Sequence, residues 1–290
     1  MSTKPAVPDI KWDLLLRYRF IEIICYWEGR LTSNHLMDAF KIGRQQASKD
    51  INWYKRQYPD NLAYDLTLKG HVPTSVFNPV FTLGRPEEYL QILQANQDLS
   101  QHYSNAFIQP TNTEIIQPPA RWVKPEVLRP VIQACRENRR LDIGYVSLST
   151  PEQVDGRLIC PHTLVNTGFR WHVRAYCEKN QGYRDFVLSR IQGIPEVEDK
   201  ADYAIDGDEA WNTQVKLVII PHRELSEPQR AVIAQDYAMR DGRMEITCRG
   251  ALVNYVLQIM YIDRHSEHRT AVEQQIEVEN FDEIKAWRFG

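Results

Sequence analysis

Between Trp12 and Trp27 apolar residues recur at spacings of three and four, Leu15, Tyr18, Ile21 and Tyr26 among them, and this period predicts a helix that Glu28-Gly29-Arg30 ends. Thr32 or Ser33 can cap the free first-turn amides of a second helix, which buries Leu36, Ala39 and Phe40 and stops at the tight turn Lys41-Ile42-Gly43. From Arg44 to Tyr58, the residues Ala47, Ile51, Tyr54 and Tyr58 form one apolar stripe at helical spacing. Arg44, Gln45, Ser48, Lys49, Asn52, Lys55 and Arg56 fall off that stripe, so the third helix shows a polar, basic face. The run Leu62–Leu68 alternates, is predicted to turn at Lys69-Gly70-His71 and resumes at Val72, as a small hairpin does. Three helices followed by a hairpin is the order of a winged helix-turn-helix.

A further helix is predicted over Arg85–Tyr103. Pro110, Pro118, Pro119 and Pro125 then mark a linker, because proline fixes φ and removes an amide donor. A helix over Glu126–Asn138 turns Leu128, Val131, Ile132 and Cys135 inward, after which the period changes to two. Leu141–Leu148, Arg157–Val165, Phe169–Cys177 and Tyr183–Ile191 read as strands between Gly or Asn turns, which suggests a small, strongly bent sheet or barrel. Glu196–Glu209 reads as an acidic connector. The rest reads as strand (Gln214–Ile220), helix (Ser226–Tyr237), strand (Arg243–Cys248), helix (Leu252–Ile262) and a final helix (Asp282–Trp287), an α+β unit.

The net charge of −3 over 290 residues argues against a nucleic-acid binder only until it is divided along the chain. Residues 1–60 sum to +3, 61–120 to −3, 121–190 to +5 and 191–290 to −8. Lys41–Gln57 alone carries +4 on one element, so two basic regions and an acidic tail need explaining. Five widely spaced cysteines without CxxC suit a reducing compartment and argue against a disulfide framework or a zinc ribbon. With no export signal and no ~20-residue apolar span, the cytoplasm is the expected location.

In a helix-turn-helix the second helix of the motif enters the major groove, where Arg reads guanine, Gln or Asn reads adenine, and Ser and Lys hold phosphates. The DNA-contacting set expected here is Arg44, Gln45, Gln46, Ser48, Lys49, Asn52 and Lys55, with Lys69 and His71 of the hairpin. The second basic region lies in strands. Arg170, His172, Arg174 and Tyr176 share one face of one strand, and Arg184, Phe186, Leu188 and Arg190 alternate along the next. Arginines on one strand face make a poor apolar core, so they are either spread over an outer surface or converge on an anion. No GxGxxG, GxxxxGK[ST], HExxH or GxSxG motif is present, so no catalytic role, cofactor or metal is expected. Cys160-Pro161-His162 and His265-Ser266-Glu267-His268 are the nearest to metal spacing, and neither completes a ligand set.

The strand block, with Leu141-Asp142-Ile143-Gly144-Tyr145, Pro161-His162-Thr163-Leu164-Val165, Gly168–Tyr176 and Arg184–Ile191, resembles a WYL domain, with Trp171-His172-Val173 where the Trp-Tyr-Leu tripeptide stands. The whole chain is similar to the dimeric repressors that accompany BREX and CBASS phage-defence islands (the BrxR/CapW type). The resemblance implies a multidomain α+β chain. Residues 1–104 form a winged helix-turn-helix, 105–125 a Pro-rich linker, 126–200 a WYL domain built as an Sm-like β-barrel, and 201–290 a C-terminal α+β extension for dimerisation. It also implies a ligand patch of Tyr145, Ser147, His162, Arg170, Arg174, Tyr176, Arg184 and Arg190. There a nucleotide or single-stranded nucleic acid binds through phosphate pairing and base stacking. The expected function is a homodimeric, ligand-released repressor on an inverted-repeat operator. The alternatives are an activator of the same build and an oligonucleotide-binding adaptor without operator specificity.

Overall fold

The structure, a computed structural model, describes residues 10–100, 113–116, 119, 121–262 and 270–287, with the backbone alone for 96–100. It divides into two compact units, residues 1–117 and 118–290. Most of the expected linker 105–125 lies outside the described residues.

The first unit runs α1 (Trp12–Glu28), α2 (Ser33–Phe40), α3 (Arg44–Gln57), the hairpin β1 (Leu62–Asp65) and β2 (Gly70–Pro73), and α4 (Pro86–Ser100). Gly29, at φ 72°, ends α1 in the left-handed region that glycine enters without strain. Thr32 caps α2 in a capping box whose usual Glu or Gln is replaced by His35, its Nδ1 accepting from the Thr32 amide at 2.9 Å. Ala47, Ile51 and Tyr54 of α3 are buried as the stripe requires, packed with Ile21, Ile24, Leu31 and Leu36.

The hairpin turn lies at residues 66–69, earlier than the expected Lys69-Gly70-His71. Asp65 Oδ1 accepts from the amides of Thr67 (2.7 Å) and Leu68 (2.8 Å), and Lys69 takes φ 50°, so the chain has already reversed when Gly70 begins β2. His71 then exchanges two backbone hydrogen bonds with Leu31, at 2.7 and 2.8 Å, which ties the wing to the start of α2. A Cβ on Gly70 would stand 2.9 Å from Arg30 Cγ and 3.1 Å from the Leu31 carbonyl oxygen, so this close approach requires glycine.

One buried carboxylate organises this unit. Glu22 accepts from Tyr54 Oη and the Val80 amide on one oxygen, and from the Phe81 and Thr82 amides on the other, all at 2.8–2.9 Å. Asn61 Nδ2 in turn donates to Tyr54 Oη at 2.8 Å. The segment after the wing is thus fastened to α1 and α3 by polar bonds that replace water completely.

The second unit opens with α5 (Pro125–Glu137), whose buried side chains are Val127, Val131 and Ala134. Leu128, Ile132 and Cys135 are half-buried, so the inward stripe is rotated by about one residue from the expected one. Then come β3 (Arg139–Ser147), β4 (Thr150–Asn166), β5 (Trp171–Cys177), β6 (Gly182–Val187), a 3-10 turn at Leu188–Arg190 and β7 (Ile191–Lys200). All pairs are antiparallel, in the order β6-β5-β4-β3-β7. Residues 196–200 of the expected acidic connector are therefore strand, paired with β3. The expected Sm-like barrel is an open sheet: among the described residues β6 and β7 are its two edges and do not pair. The 3-10 turn between them takes three residues out of strand conformation, and the Val187 amide reaches β3 only through Tyr145 Oη, at 3.1 Å.

The remainder is α6 (Glu209–Asn212), β8 (Gln214–Pro221), α7 (Glu227–Asp236), β9 (Met244–Arg249), α8 (Val253–Ile259), α9 (Ala271–Gln274), β10 (Ile276–Val278) and α10 (Phe281–Ile284). The helices pack on a sheet of order β10-β8-β9, with Leu217, Ile219, Val253 and Ile276 fully buried. The expected α+β unit is present, and β10, at three residues, is too short to give a periodic signal. Among the described residues no helix is long and apolar enough to cross a membrane.

Replacing Glu22 by Ala strands three backbone amides and a tyrosine hydroxyl in the core. The expected loss is about 3 kcal/mol of stability in the first unit. It is measured as an earlier urea midpoint by tryptophan fluorescence; a variant within 1 kcal/mol of wild type contradicts this account of Glu22.

Candidate functional site

A cleft of about 340 Å³ lies in the first unit. Arg44, Ser48 and Asn52 of α3 line it from one side, Tyr64, Lys69 and His71 of the hairpin from another. The stretch from Arg30 to Asn34 also lines it, and sequence reasoning missed Arg30 and Asn34, together with Tyr64, because they stand outside α3. The spacing of Arg44, Ser48 and Asn52 puts their side chains one above the other on one helix face, which flanks the buried stripe, so that Ile51 of the stripe also lines the cleft.

The other expected contacts are placed differently. Gln45 and Lys49 are exposed on α3 outside the cleft. Gln46 Nε2 donates to Asp50 Oδ1 at 2.7 Å, and Asp50, buried, pairs with Arg17 at 2.9 Å, so Gln46 braces α3 against α1. Lys55 is half-buried and close enough to His71 that, after burial, its charge is the second cause holding the His71 pKa down. His71 is thus neutral at neutral pH. Its ring meets Tyr64 edge-on at 5.2 Å, and its Nδ1 is buried without a hydrogen-bond partner among the described residues.

A second and larger cleft, about 1090 Å³, lies in the second unit. Tyr145, Ser147, Arg170, Arg174, Arg184 and Arg190 of the expected patch all line it. Arg170 precedes β5, Arg184 lies on β6 and Arg190 on the 3-10 turn, so Arg190 does not share a strand face with Phe186 as its parity implied. These three guanidiniums have no carboxylate partner among the described residues. The opposite wall is C-terminal: Tyr255 and Gln258 of α8, and Trp287.

Arg174 differs from the other three. It is 6% exposed, donates to both oxygens of Asp208 at 2.7 and 3.0 Å, and reaches Asp185, its direct cross-strand partner, at 3.3 Å. Burial alone would raise the pKa of Asp208, but the paired guanidinium, the Trp211 amide and His162 together hold its carboxyl below the usual range. Burial dominates at Asp185 and pushes its pKa up, although Arg174 and the Tyr255 hydroxyl, donating at 2.9 Å, work against it.

His162 and Tyr176 do not line the cleft. His162 Nε2 stands 3.2 Å from Asp208 Oδ2 and its Nδ1 2.8 Å from Thr163 Oγ1, which makes it a brace for that carboxylate. Tyr176 stacks on Tyr203 at 3.7 Å, because the chain after β7 folds over that end of the strand face. His172 is the residue the expectation passed over. It shares the face of Arg170 and Arg174, lines the cleft at 2% exposure, and its Nδ1 has no partner among the described residues. Burial first, then Arg170, Arg190 and Arg121, lower its pKa to about 4. Among the described residues no three metal-ligating side chains converge, and the five cysteines are free. His265 and His268 lie outside the described residues.

A winged helix in the same chain as a sheet bearing an arginine cleft is the build of a WYL-type transcriptional regulator. Comparison with known proteins is specific about which kind. The model of the BrxR transcriptional regulator winged helix-turn-helix domain matches residues 13–95, that of the WYL domain residues 126–195, and that of the BrxR C-terminal dimerization domain residues 214–284. The DNA-binding transcriptional repressor CapW of Escherichia coli is 35% identical over 280 residues, covering 95% of this chain and 92% of that protein. The proteins of that name from Pseudomonas aeruginosa and Stenotrophomonas maltophilia are 33% and 31% identical, covering 95% and 96% of this chain and 92% and 93% of their own lengths. The chain belongs to the BrxR/CapW family of transcriptional regulators.

The neutral, buried His172 has a pH signature. Its folded pKa of about 4 lies below the ordinary 6.5, so protonation favours the unfolded chain. Its share of stability is complete above pH 6.5 and is lost as pH falls toward 4, on the order of 3 kcal/mol across that window. Thermal melting from pH 7.5 to 4.5 should show the loss, and His172→Phe should flatten it.

Proposed function

We propose that this protein is a homodimeric repressor of a phage-defence operon that binds an inverted-repeat operator through its winged helices and leaves it when an anionic ligand fills the arginine cleft. In this reading residues 1–104 read DNA, 126–200 sense the ligand and 201–290 join the two copies, with 105–125 between. The observation that carries the reading is the convergence of Arg44, Ser48 and Asn52 with Arg30, Lys69 and His71 on one concave surface, in a chain whose full-length relatives are named DNA-binding repressors. Arg44 and Asn52 are the side-chain types that read guanine and adenine bidentately, and in this reading Arg30 and Lys69 contact phosphates on the wing side. Two-fold symmetry in the protein calls for a matching repeat in the operator.

The ligand proposed for the cleft is a nucleotide or a short single-stranded nucleic acid. Among the described residues Arg170, Arg184 and Arg190 have no carboxylate partner, and the wall carries Tyr255 and Trp287 on which a base can stack. A ligand releases the repressor only if it favours the arrangement that does not fit DNA, since equal affinity for both shifts nothing.

The reading is tested by gel shift at ~0.15 M salt with the DNA upstream of the gene and a scrambled duplex of equal length. Tight binding to the first alone supports the repressor, and equal affinity for both leaves only the adaptor. Arg44→Ala and Asn52→Ala are each expected to weaken operator binding by about 1–3 kcal/mol. Arg190→Ala should leave operator affinity unchanged and abolish ligand release; loss of operator binding in a folded, dimeric Arg190→Ala protein overturns the sensor assignment.

A further inference from the structure

The arginine cleft already contains an anion of its own. Asp185 faces Arg174 across the β5–β6 ladder, and its second oxygen accepts from Tyr255 Oη at 2.9 Å. Tyr255 belongs to α8, in the stretch that matches the dimerization domain, so this hydrogen bond joins the sensing sheet to that domain inside the cleft. Beside it, the His172 ring lies 5.2 Å from the Tyr255 ring, and the buried His172 Nδ1 is without a partner among the described residues.

The two carboxylates on Arg174 are not held equally. Asp208 takes two short bonds from the guanidinium and further bonds from the Trp211 amide and His162. Asp185 has one longer contact at 3.3 Å and the tyrosine hydroxyl, and burial raises its pKa where that of Asp208 is lowered. Asp185 is the partner that gives way. A phosphate has more acceptor oxygens and more charge, and it finds Arg170, Arg184 and Arg190 waiting on the same cleft.

We infer that Asp185 is a resident stand-in for the ligand's phosphate: an entering phosphate displaces it from Arg174 and Tyr255, and the release of Tyr255 loosens α8, so that occupancy is passed directly into the dimerization domain. The inference rests on the reading of this cleft as an anion site. Its ligand class is an oligophosphate-bearing molecule, either a nucleic-acid fragment or a free polyphosphate.

The test uses the full chain with two probes, 5′-phosphorylated (dT)4 and inorganic pyrophosphate, titrated by calorimetry and followed by hydrogen–deuterium exchange over Val253–Ile259. Binding of either probe is expected to speed exchange of that helix at least threefold, and the probe that succeeds tells which source supplies the phosphate. Tyr255→Phe should show the faster exchange without any probe and no further rise with it. Asp185→Asn keeps an acceptor for Tyr255 but removes the competing charge, and should bind the probe at least threefold more tightly. Asp185→Asn carries the test if Tyr255→Phe fails to fold. Binding that leaves α8 exchange unchanged, or an Asp185→Asn protein that binds no more tightly, overturns the inference while the anion site stands. Failure of both probes to bind wild type overturns the reading of the cleft and this inference with it.

Discussion

The buried pairing of Arg174 with Asp208 is the constraint on which the second unit depends. Neither charge can stay buried alone, because an unpaired guanidinium or carboxylate in that environment costs several kcal/mol. Each therefore fixes the other: β5 must present Arg174 toward the segment before α6, and Asp208 must cap α6 through the Trp211 amide while it accepts from the guanidinium. His162 comes from β4 to the same carboxylate. Three elements are thereby held at one point, and the cleft exists because the sheet and the C-terminal α+β part are joined beside it.

This pairing also sorts the basic residues of the sheet. Arg174 is held tightly by Asp208, which serves architecture, and more loosely by Asp185 at 3.3 Å. Among the described residues Arg170, Arg184 and Arg190 line the cleft without a carboxylate partner, and burial followed by the charges of Arg170, Arg190 and Arg121 holds the His172 pKa down. Among the described residues these three cations lack carboxylate partners beside one that has them, which distinguishes the cleft from a uniform basic surface and supports the anion site proposed for it.

The first unit repeats the device with the sign reversed. Glu22 is a buried carboxylate satisfied by three backbone amides and a tyrosine, and through it the chain after the wing is pinned to the helix under the reading helix. The wing itself is set by Asp65 and by the Leu31–His71 bridge. Polar side chains at buried positions thus decide where the groups lining the α3–hairpin cleft stand, and the apolar stripe of α3 decides only which way its side chains point.

The helices of the winged domain, most of the strand block and the longer C-terminal elements were legible in the sequence, because a stripe at 3.6 or 2 residues states which face each element buries, whereas the end of β7 and the short α6, α9 and β10 were not. The same logic put Arg44, Ser48 and Asn52 on one face, which needs only one helix, and the structure has them together in the cleft. Neither that spacing for Gln46 and Tyr176 nor the family resemblance for His162 carried information about Arg17 beneath Asp50, or about Asp208 and Tyr203, which come from elsewhere in the chain. Parity likewise carried Arg190 along a strand that a 3-10 turn interrupts. His172 and Tyr255 became a site only when β5 and α8 were packed together. What the sequence determined by itself was the set of elements and their inward faces, a matter of short-range periodicity. Tertiary structure decided which charges are neutralised and which remain open to a ligand, because the energy of a charge depends on every group around it.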